Sequence, residues 1–67
     1  MLTTRRLQEL GFKIKGKGYN WYMQKGNFCL FPMNGSWAIG SDFGTLATGA
    51  DGIILCIDTE EQLEKSM

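Results

Sequence analysis

The 67-residue chain has no histidine. That removes Ser–His and Cys–His nucleophilic pairs, and with them the commonest general base and metal ligand. It has two cysteines, Cys29 and Cys56, neither in a C-x-x-C pair, so a structural zinc site has no ligand set. Each cysteine lies within an apolar run, and both are expected to be buried thiols rather than a disulfide. The longest apolar runs, "FCLFPM" and "IILCI", are far shorter than the roughly 20 residues that span a bilayer as a helix. No charged leader precedes an apolar segment, so a cytoplasmic protein with no membrane contact is expected. No G-K-[S/T] follows any of the glycines, which rules out a P-loop. "GSDFGTLATG" contains the letters D-F-G, yet every other kinase element is missing. The carboxylates fall in turns and at a helix start, where solvated or capping roles are usual, so no catalytic activity, cofactor or metal is expected.

What is present is a small, apolar, aromatic-rich domain occupying residues 1–67. A core of this size supplies only roughly 3–5 kcal/mol of net stability, which makes a homodimer, a higher oligomer or another partner a natural expectation. Net charge is zero but unevenly placed. Residues 1–25 carry Arg5, Arg6, Lys13, Lys15, Lys17 and Lys25 against Glu9, whereas 26–67 carry Lys65 against Asp42, Asp51, Asp58, Glu60, Glu61 and Glu64. Folding either brings the two halves together or leaves a basic edge and an acidic edge.

"MLTTRRLQELG" predicts a short helix with Thr3 as N-cap, a Leu2/Leu7 hydrophobic staple and Gly11 as the stop. "FKIK" alternates, with Phe12 and Ile14 inward and Lys13 and Lys15 outward. "YNWYMQ" predicts a second strand with Tyr19, Trp21 and Met23 on one face and Asn20, Tyr22 and Gln24 on the other. "FCLFPM" and "SWAIGS" flank Asn34-Gly35, a type I′ hairpin signal that pairs Met33 with Ser36, Pro32 with Trp37 and Leu30 with Ile39. One face of that hairpin, Phe28, Leu30, Pro32, Trp37 and Ile39, is core. The other carries Cys29, Phe31, Met33, Ser36 and Ala38.

For the preceding hairpin, a four-residue loop over Gln24–Asn27 pairs Met23 with Phe28, Trp21 with Leu30 and Tyr19 with Pro32. It keeps every large apolar group on one face, whereas a three-residue loop would turn Asn20 and Gln24 into the core. A short strand is expected around Thr45–Thr48, then a turn at Asp51-Gly52. "IILCI" predicts a strand covered on both faces. Thr59-Glu60-Glu61-Gln62 matches a capping box opening a last helix, with a Glu61–Lys65 pair and with Leu63 and Met67 inward. The fold class is therefore α+β: a short N-terminal helix, an antiparallel β-meander of about five strands and a short C-terminal helix.

The lysine- and aromatic-rich stretch "KIKGKGYNWYMQKG" raises the question of nucleic acid. Zero net charge and inward-facing Tyr19 and Trp21 argue against it, leaving a single-strand binder as the weakest reading. The more informative feature is the mixed sheet face. Tyr22, Cys29, Phe31, Met33 and Ala38, edged by Asn20, Gln24 and Ser36, form an apolar and aromatic patch. Either a helix or the 43–49 segment covers it, or it marks a protein or ligand contact surface, with Tyr22, Phe31, Met33, Ala38 and Asn20 as the contact residues. Lys15, Lys17 and Lys25 are the candidate anion-binding groups.

The pattern "TTRRLQELGF", then glycine-punctuated strands with a tryptophan, then "IDTEEQLE", resembles small phage- and prophage-encoded accessory proteins. In those a short helix ending in L-G-F leads into a β-meander that closes on a T-x-E-x-L helix. Characterised members are often inhibitors of bacterial defence that bind a host protein or sequester a nucleotide signal. The resemblance implies a host-protein partner in the cytoplasm, with nucleotide sequestration as the alternative. It assigns no individual residue.

Overall fold

The computed structural model describes residues 2–41 and 46–66. Helix α1 (Thr4–Glu9) starts where expected: the Thr3 hydroxyl accepts the Arg6 N–H at 3.1 Å. It ends in a complete Schellman motif, the Gly11 N–H bonding the Gln8 carbonyl and the Phe12 N–H the Leu7 carbonyl. Leu2 and Leu7 are both buried, which completes the staple.

The sheet then runs β1 (Lys13–Lys15), β2 (Tyr22–Lys25), β3 (Phe28–Met33), β4 (Ser36–Gly40) and β5 (Cys56–Ile57), antiparallel throughout, in the order β1-β2-β3-β4-β5. Helix α2 (Glu60–Ser66) closes the chain, and the arrangement is α+β. Its capping box is formed: the Gln62 N–H donates to the Thr59 hydroxyl, and the Gln62 side-chain carbonyl accepts from the Thr59 and Asp58 N–H groups. The Glu61–Lys65 pair is made at 3.3 Å.

Both helices pack on one sheet face. Leu2, Leu7 and Leu63 meet Phe12, Met23, Leu30, Trp37 and Ile57, with Trp21, Phe28 and Ile39 packed around them. Trp21 and Trp37 meet edge-to-face at 5.9 Å, as do Phe12 and Phe28 at 6.1 Å. Two hydrogen bonds fasten the N-terminal arm: Leu2 N–H to the Asp58 carbonyl at 2.9 Å, and the Trp37 indole N–H to the Leu2 carbonyl at 2.8 Å. The oppositely charged halves of the chain meet where Arg6 binds Glu60, and Arg6 also binds Glu9 within its own half. Those hydrogen bonds, Glu60's first, raise the Arg6 pKa above its ordinary value. The hydrogen bond from Arg6 in turn holds the Glu60 carboxyl below its usual range.

The Asn34-Gly35 hairpin has the expected register, with both turn residues at positive φ as type I′ requires. The β2–β3 hairpin corrects the four-residue loop. Met23 faces Leu30 and Lys25 faces Phe28, so the loop is only Gly26-Asn27. Gly26 sits at the first central position with φ +60, which a two-residue primed turn needs. A slip of two residues leaves every side chain on its face, so the burial pattern that excludes three residues does not separate two from four.

Five further expectations are corrected. Tyr19 and Asn20 form a 3-10 turn (Gly18–Asn20), not a strand, and Tyr19 is fully exposed. Gly16, at φ +83, packs against the Asn20 carbonyl and closes that loop, so period-two alternation begins only at Tyr22. Ile14 shares the core face with Met23 but is 52% exposed, because β1 is the sheet edge. Pro32, opposite Trp37, is exposed at the end of the sheet rather than in the core. "IILCI" is covered on neither face over most of its length: Ile53 is 66% and Leu55 45% exposed, Cys56 is exposed, and only Ile57 is core. The run supplies one short edge strand, not a central one. Isolated bridges at Leu46 and Thr48 stand where a strand was expected, while Thr45 and Met67 lie outside the described residues.

Candidate protein-docking face

Alternation along each strand sends one set of side chains to the helices and the other to the opposite face. On that opposite face the registers align one residue from each strand into a row. Lys15 faces Tyr22, Phe31 faces Ala38 and Ala38 faces Cys56, and continuing the β2–β3 register sets Tyr22 beside Phe31. The two rings lie 4.9 Å apart at 31°, both half-buried. A parallel row runs Lys13, Gln24, Cys29 and Gly40. Met33 and Ser36 lie beyond, and the Ser36 hydroxyl donates to the Asp58 carboxylate.

Of the patch residues expected from sequence, Tyr22, Phe31 and Met33 share this face and remain partly accessible. Ala38 shares it but is fully buried, as is Cys29, so neither offers surface. Asn20 belongs to the 3-10 turn and is exposed there.

The lysines divide. Lys25 donates to the Leu10 carbonyl at 2.8 Å, completing the C-terminus of α1. It nonetheless borders a shallow notch of about 260 Å³ with Gly11, Lys13, Lys15, Gln24 and Gly26. Lys17 does not line that notch but precedes the 3-10 turn. Lys13, which sequence reasoning treated only as the wet side of a strand, joins Lys15 there. The β1–β2 pairing was the missing information.

A second concavity, about 410 Å³, opens at the far end of the sheet between Leu2, Trp21, Pro32, Met33 and Trp37. Its signal in the sequence was Pro32 beside the Asn34-Gly35 turn, which ends the sheet there. Among the described residues no cluster of His, Cys, Asp and Glu is placed to hold a metal ion, and no helix is long and apolar enough to cross a membrane.

No protein-family model, curated protein or solved structure matches this chain.

Proposed function

We propose that the protein is a non-enzymatic binding protein that docks on another protein through the sheet face opposite its helices. It would act as an inhibitor of a bacterial host protein of the kind phages encode. The observation that carries this reading is the Tyr22–Phe31 ring pair with Met33 beside it, half-accessible on a face that neither helix covers. A rim of Lys13, Lys15, Gln24 and Ser36 around an aromatic centre is the anatomy of a contact surface. The inhibitor role and the host cytoplasm rest on the sequence resemblance alone.

The test is affinity capture from bacterial lysate with the wild-type chain and with Phe31→Asp, each checked by circular dichroism. A folded F31D that no longer captures the wild-type partner supports the proposal. A folded F31D that captures it equally well refutes this face as the docking surface.

A second reading has one observation behind it: the notch that gathers Lys13, Lys15 and Lys25 lies beside the row that bears Tyr22. A nucleotide could place phosphates there and its base on the ring. Binding that falls steeply with salt and survives Phe31→Asp would favour that reading over protein docking.

A further inference from the structure

The sheet has two edges, and they are finished differently. At β5 the backbone is closed at both ends. Ile54 bridges to Thr48, the Asp58 N–H is taken by the Gln62 side chain, and the Asp58 carbonyl by the Leu2 N–H. The Leu55 carbonyl accepts the Ile39 N–H, so alternation leaves Cys56 alone facing outward.

The β1 edge has no such cover. In the two-residue hairpin Lys25 and Phe28 are a hydrogen-bonded pair, and so are Met23 and Leu30. Tyr22 and Gln24 therefore bond toward β1, through Lys15 and Lys13, and the N–H and C=O of Ile14 point away from the sheet. Among the described residues no other segment's backbone reaches them. The Ile14 side chain is half exposed on one face of this edge. Lys13 and Lys15 flank it on the other, and neither is in an ion pair among the described residues.

We infer that β1 is a strand-addition site for an acidic–apolar–acidic segment of a partner protein. The incoming strand would exchange main-chain hydrogen bonds with Ile14, set its apolar residue beside the Ile14 side chain, and place a carboxylate opposite each of Lys13 and Lys15. Charge selects this occupant over a second copy of the chain. Antiparallel β1–β1 pairing about Ile14 sets Lys13 opposite Lys15 of the copy and Lys15 opposite its Lys13, like charges in direct register. The site adjoins the aromatic face, since Lys15 belongs to the row of Tyr22 and Phe31, but it stands independently of docking on that face.

The experiment is amide hydrogen exchange by NMR on 15N-labelled protein at low salt, with a synthetic Ser-Glu-Val-Glu-Val-Glu-Ser peptide and its Lys-for-Glu counterpart as probes. The acidic peptide should slow exchange of the Ile14 amide about tenfold when nine-tenths of the sites are filled, and the basic one should not. The Lys13→Glu/Lys15→Glu variant should reverse that preference, and Phe31→Asp should leave it intact. Equal effects of the two peptides, or shifts at the lysine side chains with Ile14 exchange unchanged, would overturn the assignment.

Discussion

Gly16 offers the sharpest check on the described geometry. A methyl group there would lie 2.3 Å from the Asn20 carbonyl oxygen and 3.1 Å from both its carbon and the Trp21 Cα, all backbone atoms with no side chain to yield. The position is also at φ +83, which costs a non-glycine residue roughly 1–2 kcal/mol even in open space. Gly35 is the internal control. It shares φ +83, and nothing lies within 4 Å of its built Cβ. Gly35→Ala should therefore lose only the conformational part, about 1–2 kcal/mol. Gly16→Ala must in addition push the 3-10 turn away from β1, for a total of about 3 kcal/mol or more. Against a net stability of roughly 3–5 kcal/mol, that leaves G16A with about 2 kcal/mol or less and a urea midpoint near zero denaturant. Urea unfolding followed by tryptophan fluorescence reads both variants. Equal midpoints for G16A and G35A would refute the close approach of Asn20 to Gly16, and with it the placement of Tyr19 outside the sheet.

Other perturbations test other joints. Leu63→Ala removes the α2 side chain from the core and should cost about 2–5 kcal/mol, read as loss of the cooperative urea transition. Thr59→Ala breaks the capping box and should lower stability by about 0.5–2 kcal/mol, measured as a shift of the same midpoint. Because Arg6 depresses the Glu60 carboxyl on folding, its contribution is present above the unfolded value near 4.5 and is lost as pH falls through the lower folded value. The urea midpoint should drop over that acidic window, and Glu60→Gln should flatten the drop. With a thiol reagent, native protein should react at Cys56 alone and denatured protein at both cysteines, as counted by mass spectrometry.

Legibility from sequence followed the range of the interaction. The helix caps were readable because each is settled within four residues: Thr3 with Arg6, Gly11 with Gln8, Thr59 with Gln62. The Asn34-Gly35 turn was readable because its two residues tolerate positive φ, and it carried the β3–β4 register with it. The β2–β3 register was half readable, since burial decides between odd and even slips and only turn chemistry decides within the even ones. Exposure at the edges was not readable at all. Ile14, Ile53 and Leu55 have the composition of core residues, and what uncovers them is their place at the two edges of the sheet, which is set by the order of the strands. At the candidate face, alternation found Tyr22, Phe31 and Met33. It could not distinguish Ala38, sunk beneath its neighbours, from a residue that offers surface.

The N-terminal arm has a kinetic consequence. Each strand of the meander from β1 to β4 pairs with its sequence neighbour across a short connection, so these hairpins can form as soon as their residues exist. Leu2 and Arg6, by contrast, are held by Asp58 and Glu60, more than fifty residues later. During synthesis, then, Leu2 and Arg6 are made well before Asp58 and Glu60, and the contacts that latch them form only once β5 and α2 have emerged. Pairing within β1 to β4 does not depend on that latch, so on refolding the sheet signals should appear before the Leu2–Asp58 and Arg6–Glu60 contacts close.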